Sequence, residues 1–252
     1  MIKGVLLDLD GTVYRGTQAV PGAVRFIGRM RAEGMKYLFV TNRSSRTPDA
    51  VCMQLRGYDI PCETDDVLTS AQATARYLQT GSFFCIGEDG LLEALKETQM
   101  TIEDEKPDFV VVGYDRGITY EKLDKASRLI RAGATFIATN PDKVVNTESG
   151  MSPGNGAIVA AIAAASGVEP TYIGKPERRI IDIALNHIGL PRDETILVGD
   201  NLETDIKAGK NAGLRTVFIL TGVSRREDAE AATAKPTWIV NDFDELERLI
   251  FS

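Results

Sequence analysis

Short apolar runs alternate along this chain with helix-length amphipathic segments, and that alternation constrains the fold more than any other feature. A strand that is followed by a helix meets its next strand in parallel, because the crossover returns the chain to the same end of the sheet. The apolar runs Gly4–Leu9, Lys36–Val40, Phe83–Ile86, Phe109–Val112, Thr135–Ala138, Thr195–Val198, Thr216–Leu220 and Thr237–Val240 read as strands. The segments between them read as helices over Pro21–Glu33, Thr47–Arg56, Thr69–Leu78, Gly90–Glu97, Tyr120–Ala132, Gly156–Ala165, Arg178–Ile188, Leu202–Ala212 and Phe243–Ile250. Proline at the first helical position (Pro21) and glycine just past the ends (Gly34, Gly57, Gly213) punctuate them. The class is therefore α/β, and 252 residues are enough for two modest cores. No low-complexity linker and no solenoid-length repeat marks a boundary between them.

Composition removes several functions. The formal net charge of −7 supplies no positive field for phosphate backbones, so nucleic acid and anionic membranes are not expected partners. The longest apolar run, 157–165, is too short to span a bilayer, which takes about 20 residues, and no signal peptide is evident. Cys52, Cys62 and Cys85 are odd in number and form no C-x-x-C pair, which argues against a disulfide framework or a zinc site and favours a reducing cytoplasm. One histidine, His187, excludes multi-histidine metal sites, so any metal must be held by oxygen, which suits Mg²⁺.

In open α/β sheets ligands sit beyond the carboxyl ends of the strands. Here four apolar runs end in a polar group: Val5–Leu7 in Asp8, Leu38–Val40 in Thr41, Ile196–Val198 in Gly199-Asp200-Asn201, and Tyr172-Ile173-Gly174 in Lys175. Carboxylates brought together would repel one another. A divalent cation resolves that repulsion, so the set reads as a Mg²⁺ site beside an anion site. Taken singly, Asp8 and Asp10 fit an Asx turn, Thr41-Asn42 and Asn201 fit helix caps, and Lys175 fits a solvated loop. It is their joint order that carries the functional reading.

That order resembles the haloacid dehalogenase (HAD) superfamily over essentially the whole chain. The first motif is Asp8-Leu9-Asp10-Gly11-Thr12, the second Thr41 in Val40-Thr41-Asn42, the third Lys175 in Gly174-Lys175-Pro176, and the fourth Gly199-Asp200-Asn201-Leu202-Glu203-Thr204-Asp205. Only ten residues separate Gly11 from Gly22, whereas more than 130 separate Thr41 from Lys175, so a cap is inserted between the second and third motifs. This arrangement is similar to the NagD-type, p-nitrophenylphosphatase-like branch (type IIA, C2 cap). Gly113-Tyr114-Asp115-Arg116, Thr139-Asn140-Pro141-Asp142 and Pro153-Gly154-Asn155-Gly156 resemble its cap motifs. Arg43 stands where the branch often has a second Asn, which adds a cation there. The implied architecture is a HAD-like, Rossmannoid, doubly wound parallel sheet over 1–78 and 173–252, with a smaller α/β cap over 79–172.

The resemblance also implies roles. Asp8 is the nucleophile that forms an aspartyl-phosphate, and Asp10 is the acid that protonates the leaving group and then the base that activates water. Mg²⁺ is held by Asp8, the backbone carbonyl of Asp10 and Asp200. Thr41 and Lys175 bind the transferring phosphoryl oxygens, with backbone N–H groups of Leu9, Asp10 and Asn42. Asp205 and Asn201 support from behind. Asn140, Asp142, Tyr114 and Asp115 are candidate substrate contacts from the cap. The expected activity is Mg-dependent hydrolysis of a small-molecule phosphate monoester, such as a sugar phosphate, nucleoside monophosphate or aryl phosphate, in the cytoplasm. The branch further implies a homodimer through the cap.

Rival readings are weaker. Gly150-Met151-Ser152-Pro153-Gly154 matches G-x-S-x-G, but Pro153 lacks the N–H that an oxyanion hole takes from that position. Gly174-Lys175 fails as a P-loop, because Glu169 and Pro176 occupy the required glycine and hydroxyl positions. A catalytically weak member that binds a phosphometabolite or regulates is the alternative from another class. The complete set of acids and the lysine argues against it.

Overall fold

The computed structural model describes residues 2–147 and 150–251. The chain divides into two units. One takes the chain up to Thr41, then Pro48–Leu68, then everything from Lys175 onward, and the other takes Asn42–Thr47 and Thr69–Gly174. The expected boundaries at 79 and 173 differ from this division, in which the second unit runs on to Gly174. The helix Ser70–Leu78 and the short segment after Thr41 both belong to the second unit.

The first unit is built on a sheet ordered Trp238–Val240, Arg215–Ile219, Thr195–Gly199, Gly4–Leu7, Lys36–Thr41, Val67–Thr69. Gly4–Leu7 pairs in parallel with Thr195–Gly199 on one side and with Lys36–Thr41 on the other. The chain leaves the central strand in one direction and later returns on its other side. That reversal is a topological switch point, where such sheets open a crevice for ligands. Strand residues here are apolar without alternation because both faces are covered, and all four residues of Gly4–Leu7 are buried. One face packs on the helices Ala23–Ala32 and Phe243–Phe251, with Phe26 and Phe243 rings 5.3 Å apart.

The second unit repeats the design. Its sheet is ordered Thr171–Tyr172, Thr135–Ala138, Phe109–Val112, Thr80–Ile86, Gln99–Ile102, and each neighbouring pair is parallel. Its core gathers Ile86, Val110, Val112, Ala126, Phe136, Val159 and Ile162 between sheet and helices. The hairpin Val144–Thr147 with Gly150–Pro153 was not anticipated from sequence. It places Ser152 inside a strand opposite Val145 rather than at a strand-to-helix elbow.

The sheet of the second unit has its own switch point, between Thr80–Ile86 and Phe109–Val112, and that crevice is filled by the chain itself. The N–H of Tyr114 donates to Ser44 Oγ (3.1 Å), and the N–H of Gly90 donates to the Ser45 carbonyl (3.4 Å). Gly90 lies against the backbone of Arg46 and Gly113 against Ser44, at separations that leave no room for a Cβ. Residues 42–47 are thus bound by the second unit as a ligand would be.

Two expectations are corrected. Leu202–Ala212 is not one regular helix. A single wide π-turn over Leu202–Ile206 precedes the helix Lys207–Asn211, because the Asn201 side chain caps the N–H of Glu203 and both Asp205 and Ile206 donate their N–H groups to the Asn201 carbonyl. Cys52 and Cys62, expected as free thiols, are joined in a disulfide. Cys52 sits on the buried face of Pro48–Arg56 and Cys62 on the segment that follows it, with Cα atoms 5.4 Å apart. Cys85 remains a thiol, and burial pushes it up to about 12.

Replacing Gly90 by valine should destabilise the second unit by about 1–3 kcal/mol through overpacking against the Arg46 backbone. Urea unfolding followed by tryptophan-independent circular dichroism measures it; an unchanged midpoint would contradict the docking of residues 42–47.

Candidate active site

Lys175 lies at the carboxyl-end rim of the first sheet and is only 2% exposed. Its ammonium has three protons and donates three hydrogen bonds: to Asp8 Oδ1 (2.5 Å), to Asp205 Oδ1 (2.7 Å) and to the carbonyl of Val40 (3.0 Å). Three strand ends are thereby tied together. Asp8 follows Gly4–Leu7, Val40 belongs to Lys36–Thr41, and Asp205 follows Thr195–Gly199 by one turn. Asp205 is held from its other oxygen by the N–H of Asn201 (3.1 Å).

Asp200 sits beside this pair, 1% exposed, with both oxygens engaged. Thr12 Oγ1 donates to Oδ1 (2.8 Å), and the N–H of Val223 donates to Oδ2 (2.7 Å). Gly11 and Gly222 pack against the same carboxylate so closely that a Cβ at either would overlap it, and Gly11 also adopts φ of 90°. Thr221 Oγ1 closes the ring onto the carbonyl of Gly11 (2.8 Å), and Ser224 donates its N–H to the Asp200 carbonyl (3.2 Å).

Asp8, Asp200 and Asp205 each present a carboxylate oxygen within 4.8 Å of the others, and all three are buried. Burial pushes Asp8 up to about 7, against the attraction of Lys175 and with further repulsion from Asp205. Burial and then the charge of Asp8 push Asp200 up to about 6. Asp205 is raised mainly by burial. Burial opposes the charge on Lys175, yet Asp205 and Asp8 outweigh it and hold the ammonium above the usual lysine range. Three carboxylates and one ammonium leave a deficit of two positive charges when all are ionised. An all-oxygen donor set of that charge fits a hard divalent cation.

The structure brings Asp8, Thr41, Lys175, Asp200, Asn201 and Asp205 to adjoining strand ends of the first unit. Leu9 is buried in the turn after Asp8, where its carbonyl accepts the N–H groups of Thr12, Val13 and Tyr14. Asn42, assigned to the second unit, donates to Asp142 Oδ2 (3.0 Å). The candidates in the inserted unit are largely occupied within it. Asn140 is buried and donates to the carbonyl of Asn42 (2.9 Å), while its Oδ1 accepts the N–H of Asp142 (3.1 Å). Asp115 is buried and accepts from the N–H of Gly117 (2.7 Å) and from Lys122 (2.6 Å). Tyr114 meets Ser44 through its backbone. Thr12, Thr221, Gly222, Val223 and Ser224 were missed in the sequence. Only Thr12 stood inside a motif, and the others follow the strand Arg215–Ile219, whose end carries no acid.

A doubly wound parallel sheet with a lysine-bridged acidic site at its switch point defines a class of α/β enzyme that works on anionic substrates. A family model for haloacid dehalogenase-like hydrolases matches residues 5–101, and a HAD-hydrolase-like model matches residues 172–246. The 5'-nucleotidase YutF of Bacillus subtilis is 44% identical over 247 residues, covering 96% of each chain. An acid sugar phosphatase of Staphylococcus aureus is 43% identical over 248 residues, again covering 96% of each. The crystal structure of NagD from E. coli K-12 superposes with a TM-score of 0.93 at 37% identity, covering 97% of this chain and 98% of that one. The chain belongs to the haloacid dehalogenase-like hydrolases, and to the phosphatases among them.

Two outcomes follow from this geometry. Gly222→Ala should push the Asp200 carboxylate out of its clamp and weaken any divalent-cation binding there about 10- to 100-fold, the usual effect of disturbing groups that orient metal ligands; titration calorimetry with Mg²⁺ reads it without turnover. Asp8 and Asp200 have folded-state values above the unfolded value of 3.8, so the folded chain keeps protons that the unfolded chain releases. Their contribution to stability therefore falls as pH rises from about 4 through about 7. Chelator-treated protein should consequently gain more in melting temperature from added Mg²⁺ at pH 8 than at pH 5. Equal gains at both pH values would argue against these carboxylates as the ligands.

Proposed function

We propose that this protein is a Mg-dependent phosphatase that hydrolyses a small-molecule phosphate monoester through an aspartyl-phosphate on Asp8. The supporting observation is the Lys175 ammonium bridging Asp8 and Asp205 beside Asp200. Asp8, Asp200 and the backbone carbonyl of Asp10 would hold the cation, which supplies charge neutralisation at the attacking carboxylate and the phosphoryl oxygens.

The chain's own residues divide the remaining work. Lys175 fixes the orientation of the Asp8 carboxylate and places a cation where transition-state charge gathers on phosphoryl oxygens. Asp8 attacks phosphorus as the ester P–O bond breaks, and Asp10 gives its proton to the departing alkoxide. Asp10, now a carboxylate, takes a proton from water, whose oxygen attacks phosphorus and releases inorganic phosphate and Asp8. Thr41 and the backbone N–H groups of Leu9, Asp10 and Asn42 hold the phosphoryl group. Asp205 and Asn201 keep Lys175 in place.

The substrate class we favour is sugar phosphates and nucleoside monophosphates, with aryl phosphates as reporter substrates. Two relatives of nearly equal identity, one named a 5'-nucleotidase and the other an acid sugar phosphatase, support both. Tyr114, Asp115, Asn140 and Asp142 tune that choice by shaping the loops of the inserted unit rather than by free side chains. Pairing of two copies through that unit, and a cytoplasmic location, complete the proposal. No helix among the described residues is long and apolar enough to cross a membrane.

Asp8→Asn should abolish turnover of p-nitrophenyl phosphate and of every natural ester in a panel, because an amide is no nucleophile. Acid-quenched wild type should carry covalent phosphate that the variant lacks. Retained activity in Asp8→Asn sinks the mechanism.

A further inference from the structure

Immediately after Asp8 the chain makes a tight turn in which the N–H groups of Thr12, Val13 and Tyr14 all converge on the carbonyl of Leu9. The N–H of Gly11 donates to the carbonyl of Tyr14 (2.8 Å), so Asp10 and Tyr14 face each other across the turn. The Tyr14 side chain is 2% exposed, whereas Asp10 is exposed. From that buried position the Tyr14 hydroxyl donates to Asp10 Oδ2 at 2.8 Å. The ring is fixed from behind. It packs against Tyr58 at 5.4 Å between centroids, and Tyr58 is itself tied down through its hydroxyl to the carbonyl of Gly16 (3.2 Å) and by Gln54 (3.1 Å). A buried phenol has limited freedom, and this one spends its proton on the carboxyl group of an exposed acid.

We propose that Tyr14 is a positioning residue for Asp10: its phenolic O–H, on a ring packed at a tilt against Tyr58, holds the carboxyl group in the orientation for proton transfer. This rests on the reading of Asp10 as acid and base. In the first half-reaction the P–O bond to the leaving alcohol breaks, and its oxygen takes the proton of Asp10. Asp10 is left as a carboxylate that still accepts the Tyr14 hydrogen bond, now charge-assisted and stronger. In the second half-reaction that carboxylate removes a proton from the attacking water while the P–O bond to Asp8 breaks. The Tyr14 proton stays on Tyr14 throughout. Its function is to remove rotational freedom from the group that must meet first an alkoxide and then a water.

Leaving groups that depart readily need little help from an acid, and poor ones need much. Tyr14→Phe keeps the ring and its contact with Tyr58 and removes only the hydroxyl. The test compares kcat and KM of wild type, Tyr14→Phe, Asp10→Asn and Tyr58→Phe over a series of phosphate monoesters, from p-nitrophenyl phosphate to simple alkyl phosphates. Asp10→Asn should lose about 10²- to 10⁴-fold on alkyl esters, the range for general acid–base catalysis, and less on p-nitrophenyl phosphate. Tyr14→Phe should lose about tenfold on alkyl esters, the worth of one hydrogen bond to a charged group, and under about threefold on p-nitrophenyl phosphate. KM should move by less than about twofold, because Tyr14 touches Asp10 and not the phosphoryl group. Tyr58→Phe, which keeps the ring that packs on Tyr14 and removes a hydroxyl that does not reach Asp10, should show no dependence on leaving group. A uniform loss in Tyr14→Phe, or the same steepening in Tyr58→Phe, overturns the proposal while leaving Asp10 in its role. A flat profile for Asp10→Asn overturns the role of Asp10 itself, and the proposal with it.

Discussion

One buried ammonium organises the first unit. Lys175 places each of its three protons on an acceptor from a different strand end, and it does so at 2% exposure. An isolated charge at that depth is not tolerated, and three carboxylates close together are not tolerated either. Each makes the other affordable. Remove Lys175 and Asp8 and Asp205 repel across a dry gap; remove the acids and the lysine loses its charge. The sheet's switch point brings these groups together, and their mutual need then keeps the strand ends in register.

The lysine satisfies only part of that charge. Asp200 is set between two glycines and clamped by Thr12 and Val223, with no room to rotate away from its neighbours. Burial first, and then the repulsion of neighbouring acids, raises Asp8 and Asp200 above ordinary carboxylates, which suits the site to a divalent cation. The first unit holds its acids under electrostatic tension, and the rigid donors around them prevent that tension from relaxing by side-chain movement.

Much of this was legible in the sequence, because strand periodicity and polar residues at strand ends are local signals. Phe109–Val112, Thr135–Ala138 and Arg178–Ile188 stand where the pattern puts them. Asp8, Lys175 and Asp200 announce themselves as charges at the ends of apolar runs. What stayed hidden depends on long-range contact. Thr221 to Ser224 matter only because they fold back onto Asp200, and nothing in Thr-Gly-Val-Ser says so. Tyr14 reads as one more apolar residue until its hydroxyl is seen on Asp10. Asn140 and Asp115 read in the sequence as polar residues of turn-like motifs, and only the structure shows that their side chains bond to loops of the inserted unit. The Cys52–Cys62 pairing and the π-turn at Leu202 also follow from what the backbone meets, not from composition.

Residues 42–47 occupy the crevice that an α/β sheet ordinarily offers to a ligand, and they are continuous with Thr41 on one side. Gly174, whose N–H donates to the carbonyl of Thr139, leads directly into Lys175. The inserted unit therefore grips the chain one residue away from two of the groups assigned to the phosphoryl site. It follows that this unit is not a module delimited by its own two junctions in sequence. A functional exchange of it between relatives has to carry residues 42–47 along with 69–174, so recombination within this fold is bound by a two-segment inheritance, and the residues that follow Thr41 in the second motif travel with the insert.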